Sequence, residues 1–312
     1  MAIFEEGRIQ SEYGYSVFTM KILITGASGF IGRNIFEQLK DKYKIYAPLS
    51  SELNLLEDDK VLEYLKVNHF DLVIHAATWN ATRNSKKDLG EVLNNNLRMF
   101  FNLARNGNYY GKMIHYGTGA EYGRGHWIAK MKEEYFDAYV PQDDYGFSKY
   151  IISKYAQRSR NIYNLRLFGV FGKYEDWEIR FISNACCKAV HGLPITIKQN
   201  LLFDYMHIDD LVKITEWFIR HSPGEKVFNV CTGKTHSLLT LAKKILAVSG
   251  KTLDIRVSKK GLGKECSGDN SKLLKETGNY QFRDLDNSIK ELYLWYLNHK
   301  KRIDKKKLLS DK

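Results

Sequence analysis

The sequence predicts an α/β fold, a doubly wound parallel sheet with a smaller C-terminal α/β lobe. Two observations carry that expectation. Over the first half of the chain, short β-rich apolar runs alternate with amphipathic helical stretches, the pattern of a parallel sheet covered on both faces. A three-glycine turn, Thr25-Gly26-Ala27-Ser28-Gly29-Phe30-Ile31-Gly32, stands between the run Ile22-Leu23-Ile24 and the helical pattern Asn34-Ile35-Phe36-Glu37-Gln38-Leu39. In that position the first glycine permits the tight turn and the second lets the backbone approach phosphate oxygens. The third lets the helix pack closely, with its N-terminal dipole toward a pyrophosphate. The turn therefore predicts a bound dinucleotide.

Strands are expected at Lys21–Thr25, Lys44–Ala47, Leu72–Ala76, Met113–Tyr116 and Tyr163–Leu167, with helices near 31–41, 58–67, 90–105 and 143–159. Asp58 and Asp59 open the second helix, where negative charge complements the dipole. Beyond residue 168 the pattern loosens. It reads as a helix near 178–191, strands at Ile195–Ile197, Phe203–Met206 and Val227–Val230, and helices at Asp209–Ile219, Leu238–Val248 and Asp286–Leu297. Residues 20–167 form the expected dinucleotide-binding domain, with returning segments near 201–230. Residues 168–200 and 231–300 form the substrate lobe, and a ligand cleft is expected between the two at the carboxyl ends of the strands.

At 312 residues the chain is long enough for a full core, and it has no apolar run near the length of a membrane span. Residues 1–19 lack the long apolar stretch of a signal peptide and read as a mobile extension. Cys186, Cys187, Cys231 and Cys266 show no metal-ligand spacing, so buried thiols in a reducing cytoplasm and no metal site are expected. The net charge of +12 gathers partly in residues 301–312, read as a solvated basic tail. No nucleic-acid motif accompanies it, and the positive potential suits small anions such as sugar diphosphates.

Three residues are placed to do chemistry. Tyr145 and Lys149 of Tyr145-Gly146-Phe147-Ser148-Lys149 lie four apart and share a helix face. An ammonium beside a phenol lowers the tyrosine pKa from about 10 and makes it a usable general acid/base for hydroxyl–carbonyl interconversion. Thr118 follows the strand Met113–Tyr116 within Gly117-Thr118-Gly119-Ala120-Glu121-Tyr122-Gly123, and a hydroxyl at a strand's carboxyl end faces the cleft.

The glycine turn, Thr118 and the Tyr145/Lys149 pair, in this order, resemble the extended short-chain dehydrogenase/reductase family. They are most similar to its nucleotide-sugar epimerases, dehydratases and ketoreductases. Further matching segments are Asp71-Leu72-Val73-Ile74-His75-Ala76-Ala77, Asn96 with Asn102, Arg166–Gly172, Asp204–Asp210 and Val227–Gly233. The resemblance runs from Met20 to about Leu297. It implies a Rossmann fold and hydride transfer between nicotinamide C4 and a sugar carbon, with Thr118, Tyr145 and Lys149 catalytic. It also implies cofactor contacts at Gly26, Ser28, Gly29, Phe30, Ile31, Gly32, Asn54, Leu55, Ala76, Ala77 and Asn96, besides Tyr145 and Lys149. A homodimer through the helices near 90–105 and 143–159 is likewise implied.

Departures from the family pattern narrow the reaction. Dehydratases of the family carry an Asp-Glu pair after the catalytic threonine, where this chain has Gly119 and Ala120. Ala120 also replaces the cysteine used in fucose-synthase-like epimerisation. The family's Arg-Asp-Phe/Tyr motif reads Phe203-Asp204-Tyr205, and a common asparagine is Gly169. Glu121, Arg180, Lys198 and Lys260 are candidate substrate contacts alongside Thr118, the three cations as replacements for the lost arginine charge. The segment ending the second strand holds no carboxylate before Glu52, and Arg33 follows the third glycine. Since arginine is a favoured phosphate partner, NADP(H) is favoured over NAD(H). The expected activity is reduction of a 4-keto-hexose of a nucleotide sugar for surface-glycan precursors. A 4-epimerase with tightly bound NAD is the alternative, and a catalytically silent NAD(P)-binding sensor or scaffold is a third.

Overall fold

A computed structural model describes residues 19–79, 82 and 84–309. The chain begins β1 (Lys21–Thr25), α1 (Phe30–Leu39), β2 (Lys44–Tyr46), α2 (Asp58–Asn68), β3 (Phe70–His75), α3 (Val92–Ala104) and β4 (Tyr110–Thr118). It continues α4 (Asp144–Arg158), β5 (Ile162–Leu167), β6 (Gly169–Phe171), α5 (Phe181–His191), β7 (Ile195–Asn200), β8 (Leu202–Phe203), β9 (Tyr205–His207), α6 (Ile208–Arg220) and β10 (Val227–Val230). Then come β11 (His236–Ser237), α7 (Leu238–Ser249), β12 (Ile255–Leu262), α8 (Ser271–Glu276), α9 (Leu285–Asn298) and α10 (Lys305–Leu309).

Six strands form one parallel sheet in the order β10-β5-β4-β3-β1-β2. Side chains alternate across it with period two. Ile22, Ile24, Leu72, Ile74, Ile114 and Leu165 pack with Ile35 and Leu39 of α1 and with Leu211, Ile214 and Phe218 of α6. Leu23, Val73 and Met113 face the other way, onto Val61 and Leu65 of α2, Phe100 and Leu103 of α3, and Ile152 and Ala156 of α4. Each such side chain contributes about 1.5–3 kcal/mol by its burial. The chain turns outward from β1 to β2, then crosses back to β3 on the other side of β1. The crevice beyond the carboxyl ends of β1 and β3 is thus the topological switch point of an open α/β sheet. A second core, with α5, α7, α9 and β7, holds Cys186 and Cys187 with Leu241, Ile245, Ile289 and Tyr296. Burial pushes both thiols up.

Several boundaries depart from the sequence reading. β4 extends through Gly117 and Thr118, because it pairs with β5 to its last residue, Thr118 opposite Leu167. The strand expected over Phe203–Met206 breaks at Asp204 into β8 and β9, which pair with β11 and β6 outside the main sheet. Of the expected returning segments, only β10 joins the large sheet, while α6 lies on its face. β12 went unforeseen, since its exposed Arg256, Lys259 and Lys260 mask a parallel pairing with β7.

The expected extension over residues 1–19 lies outside the described residues apart from Thr19. The basic tail is corrected over 301–309. There Ile303 and Leu308 are buried in the second core, α10 packs on α5, and Lys307 pairs with Glu178 at 2.5 Å. The lysines lie on the outer side of an amphipathic turn. Their density hid two apolar anchors spaced five apart. Leu308→Ala is therefore expected to lower the unfolding free energy by about 2–4 kcal/mol in denaturant titration. The same change at exposed Leu309 should stay within about 0.5 kcal/mol.

Candidate active site

A cavity of about 600 Å³ opens at the carboxyl ends of the strands, and Phe30, Ile31, Ala76, Ala77, Thr118, Tyr145, Lys149 and Arg180 all line it. These eight are the sequence candidates that the fold brings together. Local chemistry explains how each arrives. Asp143 caps α4 by accepting the Gly146 N–H at 2.9 Å, and Asp144 follows in the first turn, so the helix begins where Tyr145 meets the end of β4. Thr118 ends β4, its hydroxyl accepts the Ala120 N–H, and it lines the cavity together with Tyr145.

The glycine turn is set by close approach. Gly26 has a φ of +73°, and a Cβ there would lie 2.6 Å from the Ala77 nitrogen. A Cβ at Gly32 would run into the Gly26 carbonyl. The turn and the end of β3 thus meet backbone to backbone, leaving the start of α1 open toward the cavity. That cradle fits a dinucleotide: the turn 26–32 would take the pyrophosphate, and Ala76, Ala77 and Lys149 the remainder.

Behind Thr118 lies a fully buried ion pair. Glu121 accepts the Thr118 N–H at 2.9 Å and pairs with Arg166, whose other nitrogens reach Tyr122 Oη at 3.0 Å and Ser153 Oγ at 2.7 Å. Glu121 is therefore corrected from a substrate contact to a support of the β4 terminus. Lys198 and Lys260 are corrected as well. Both are exposed on the β7–β12 pair and neither lines the cavity.

The electrostatics of Tyr145 differ from the expectation. Tyr145 is half-buried by surface but densely surrounded, and burial pushes its phenol above 10. The cations that oppose this are Arg180 and Arg124, with the Arg124 guanidinium 5.9 Å from the ring centroid. Lys149 instead donates to the Tyr116 carbonyl at 2.9 Å and contacts His115 Nε2 at 3.2 Å. Its own pKa is lowered by burial to about 8.

The remaining candidates lie outside the cavity lining. Ser28 and Gly29 are exposed on the glycine turn. Arg33 stacks on Tyr174 at 3.7 Å and pairs with Glu37 at 3.1 Å. Asn54 donates to Glu57 at 2.7 Å before α2, and Leu55 is buried with its carbonyl taking the Asn102 amide. Asn96 accepts the Trp79 N–H at 2.8 Å and so holds the chain leaving β3. Among the described residues, His207, Asp209 and Glu291 cluster closely enough for a metal, but Arg283 sits among them, bonded to both carboxylates.

A model of the NAD dependent epimerase/dehydratase family matches residues 22–231. The chain belongs to that family. Among curated relatives of this epimerase/dehydratase chain, GDP-L-colitose synthase of Yersinia pseudotuberculosis is 23% identical, covering 90% of this chain and 99% of that protein. GDP-6-deoxy-D-talose 4-dehydrogenase of Aggregatibacter actinomycetemcomitans is 26% identical, covering 88% and 97%. A solved GDP-L-fucose synthetase from Naegleria fowleri bound to NADP shares the fold, with a TM-score of 0.80 at 16% identity over 90% and 94% of the two chains.

Two departures from the family pattern lie against each other. A Cβ at Gly169 would lie 2.9 Å from the Phe203 ring, 2.8 Å from the Tyr205 ring and 2.6 Å from the Asp204 carbonyl. Phe203 and Tyr205 stack at 4.6 Å and line the cavity, so the aromatic pair fills the space a side chain at 169 would need. Sequence reading passed over Arg124, Trp127 and Glu175, which also line the cavity. Glu175 is buried, bonded to Ser183, and raised to about 8 by its burial. Its signal was faint: Tyr174, with a φ of +73°, turns the backbone and has no sequence marker such as glycine.

Removing one partner of a buried ion pair strands the other charge. Glu121→Ala is expected to lower stability by about 3–5 kcal/mol in denaturant unfolding.

Proposed function

We propose that this chain reduces the 4-keto group of a nucleotide-linked hexose, using NADP(H) in preference to NAD(H), in the synthesis of surface-glycan precursors. The observation that carries the reading is that Thr118, Tyr145 and Lys149 line one cavity with Ala76 and Ala77, where close packing pushes the Tyr145 phenol up. A phenol held above its ordinary pKa rests as an acid, the state that ketone reduction demands of its proton donor. A reduced nicotinamide held by the turn 26–32, Ala76, Ala77 and Lys149 would supply the hydride. Tyr145 gives its proton to the substrate oxygen as the carbonyl carbon is reduced, and Thr118 hydrogen-bonds the same oxygen. Arg124 and Arg180 then stabilise the phenolate left behind.

Gly119 and Ala120 offer no acid–base pair for eliminating water. The names of both relatives carry a GDP-linked sugar, in one case a 6-deoxy sugar, and that relative is a 4-dehydrogenase. Arg180, in the cavity wall, takes up substrate charge in place of the arginine that Phe203 displaces. Arg33 supports NADP(H) by turning from Glu37 to a 2′-phosphate. The protein works as a cytoplasmic homodimer through α3 and α4. Met99, Phe100, Tyr150 and Ile152 of those helices are core, which leaves Leu97, Phe101, Ile151 and Tyr155 for the interface. No helix among the described residues is long and apolar enough to cross a membrane.

With a panel of 4-keto nucleotide sugars, one NADPH should be consumed per substrate reduced. Interconversion of 4-hydroxy nucleotide sugars at C4 without net consumption of NADPH would overturn reduction in favour of 4-epimerisation. Tyr145→Phe should lose about 10²–10⁴-fold in kcat while binding cofactor as before in calorimetry. Normal turnover by that variant would sink the assignment of Tyr145.

A further inference from the structure

We propose that His115 is a positioning residue: its Nε2 accepts a hydrogen bond from Lys149 and, with the Tyr116 carbonyl, fixes the lysine charge at the cavity wall. The proposal rests on Lys149 serving the chemistry above, but its geometry stands independently.

Lys149 is nine-tenths buried or more, and its ammonium has three N–H donors. Two are directed by β4, one to the Tyr116 carbonyl at 2.9 Å and one to His115 Nε2 at 3.2 Å. The third remains for what enters the cavity, which Lys149 lines. An imidazole can take that hydrogen bond only if Nε2 is unprotonated, so the ring proton of neutral His115 must sit on Nδ1. His115 Nδ1 is buried and has no hydrogen-bond partner among the described residues. A buried donor left unmade costs about 1–3 kcal/mol, a penalty an apolar side chain at 115 would avoid. The imidazole is therefore kept at the expense of stability, and Lys149 is the polar group it serves.

The surroundings keep that ring neutral. His115 is fully buried, and burial with the Lys149 charge and the neighbouring His75 holds it well below its ordinary pKa. His75 on β3 stacks on it at 5.2 Å, bonds Thr25 Oγ1 of β1 at 2.8 Å, and is itself lowered to about 3. From α3, Phe100 presents an apolar edge at 5.3 Å. The anion acting on Lys149 is Glu121, beyond the end of β4, which raises its pKa against the larger effect of burial. On α4, Tyr145 lies one turn before Lys149. An acceptor for the ammonium favours the charged form, so His115 also works against burial, and its loss should lower the lysine pKa further.

The test uses the full chain, first without cofactor. In ¹⁵N-histidine-labelled protein, one imidazole absent from His115→Leu should show the Nδ1–H tautomer and stay untitrated from about pH 6 to 9. Its Nε2 resonance should move in Lys149→Met. In the cofactor-loaded enzyme, His115→Leu should shift the alkaline limb of kcat/KM toward acid by about one pH unit, a tenfold loss above the limb. His115→Gln, whose side-chain carbonyl can accept, should recover most of that shift. An Nε2–H tautomer, a resonance indifferent to Lys149→Met, or an unmoved limb in His115→Leu would each overturn the proposal. Should His115→Leu fail to fold, assignment through His115→Gln and the Lys149→Met comparison still decide it. Loss of the Tyr145 reading alone would leave the tautomer result intact, so the two failures are distinguishable.

Discussion

The buried pair of Glu121 and Arg166 ties the sheet to the helix and loop that carry the candidate site. Glu121 holds the last residue of β4, and Arg166 belongs to β5 and reaches Ser153 on α4. Through Tyr122 the network extends to Asn229 on β10 at 2.7 Å, and Asn229 in turn is held by Glu133 and the Met131 carbonyl. Three sheet strands, the helix carrying Tyr145 and Lys149, and the loop that follows β4 are thus registered on one another by polar contacts of definite direction. Apolar packing would tolerate small slips between these elements. Charge-assisted hydrogen bonds at low dielectric do not, and a network of this kind holds a reacting hydroxyl to a fixed position.

The glycine turn was legible in the sequence because it depends on local backbone geometry. A glycine needed for positive φ or close approach leaves its mark in the residue itself, as at Gly26 and Gly32. Strand-end Thr118 and the helical spacing of Tyr145 and Lys149 are similarly short-range. The substrate half depends on which distant side chains meet, and composition carries little of that. Glu121, Lys198 and Lys260 illustrate the limit. All three have suitable charge, yet burial with Arg166 claims the first and an exposed strand pair holds the others away from the cavity. Arg124 and Glu175 enter the cavity through irregular turns that no periodicity announces.

The protonation of Tyr145 follows the same division. Helical spacing brings Lys149 to the same wall, but the spacing does not settle which groups the ammonium contacts. β4 offers a carbonyl and an imidazole at closer quarters than the phenol, and two arginines from other segments supply the positive potential at the ring. Five charged or titratable groups therefore share a small volume in which the balance is set by tertiary placement.

Gly169, Phe203 and Tyr205 share one packed volume, and that bears on how the cavity could be redesigned. A side chain at 169 would meet the Asp204 carbonyl as well as both rings, so a smaller residue at 203 would not by itself admit it. Enlarging position 169 therefore requires the chain between β8 and β9 to move, and the aromatic floor of the cavity would move with it.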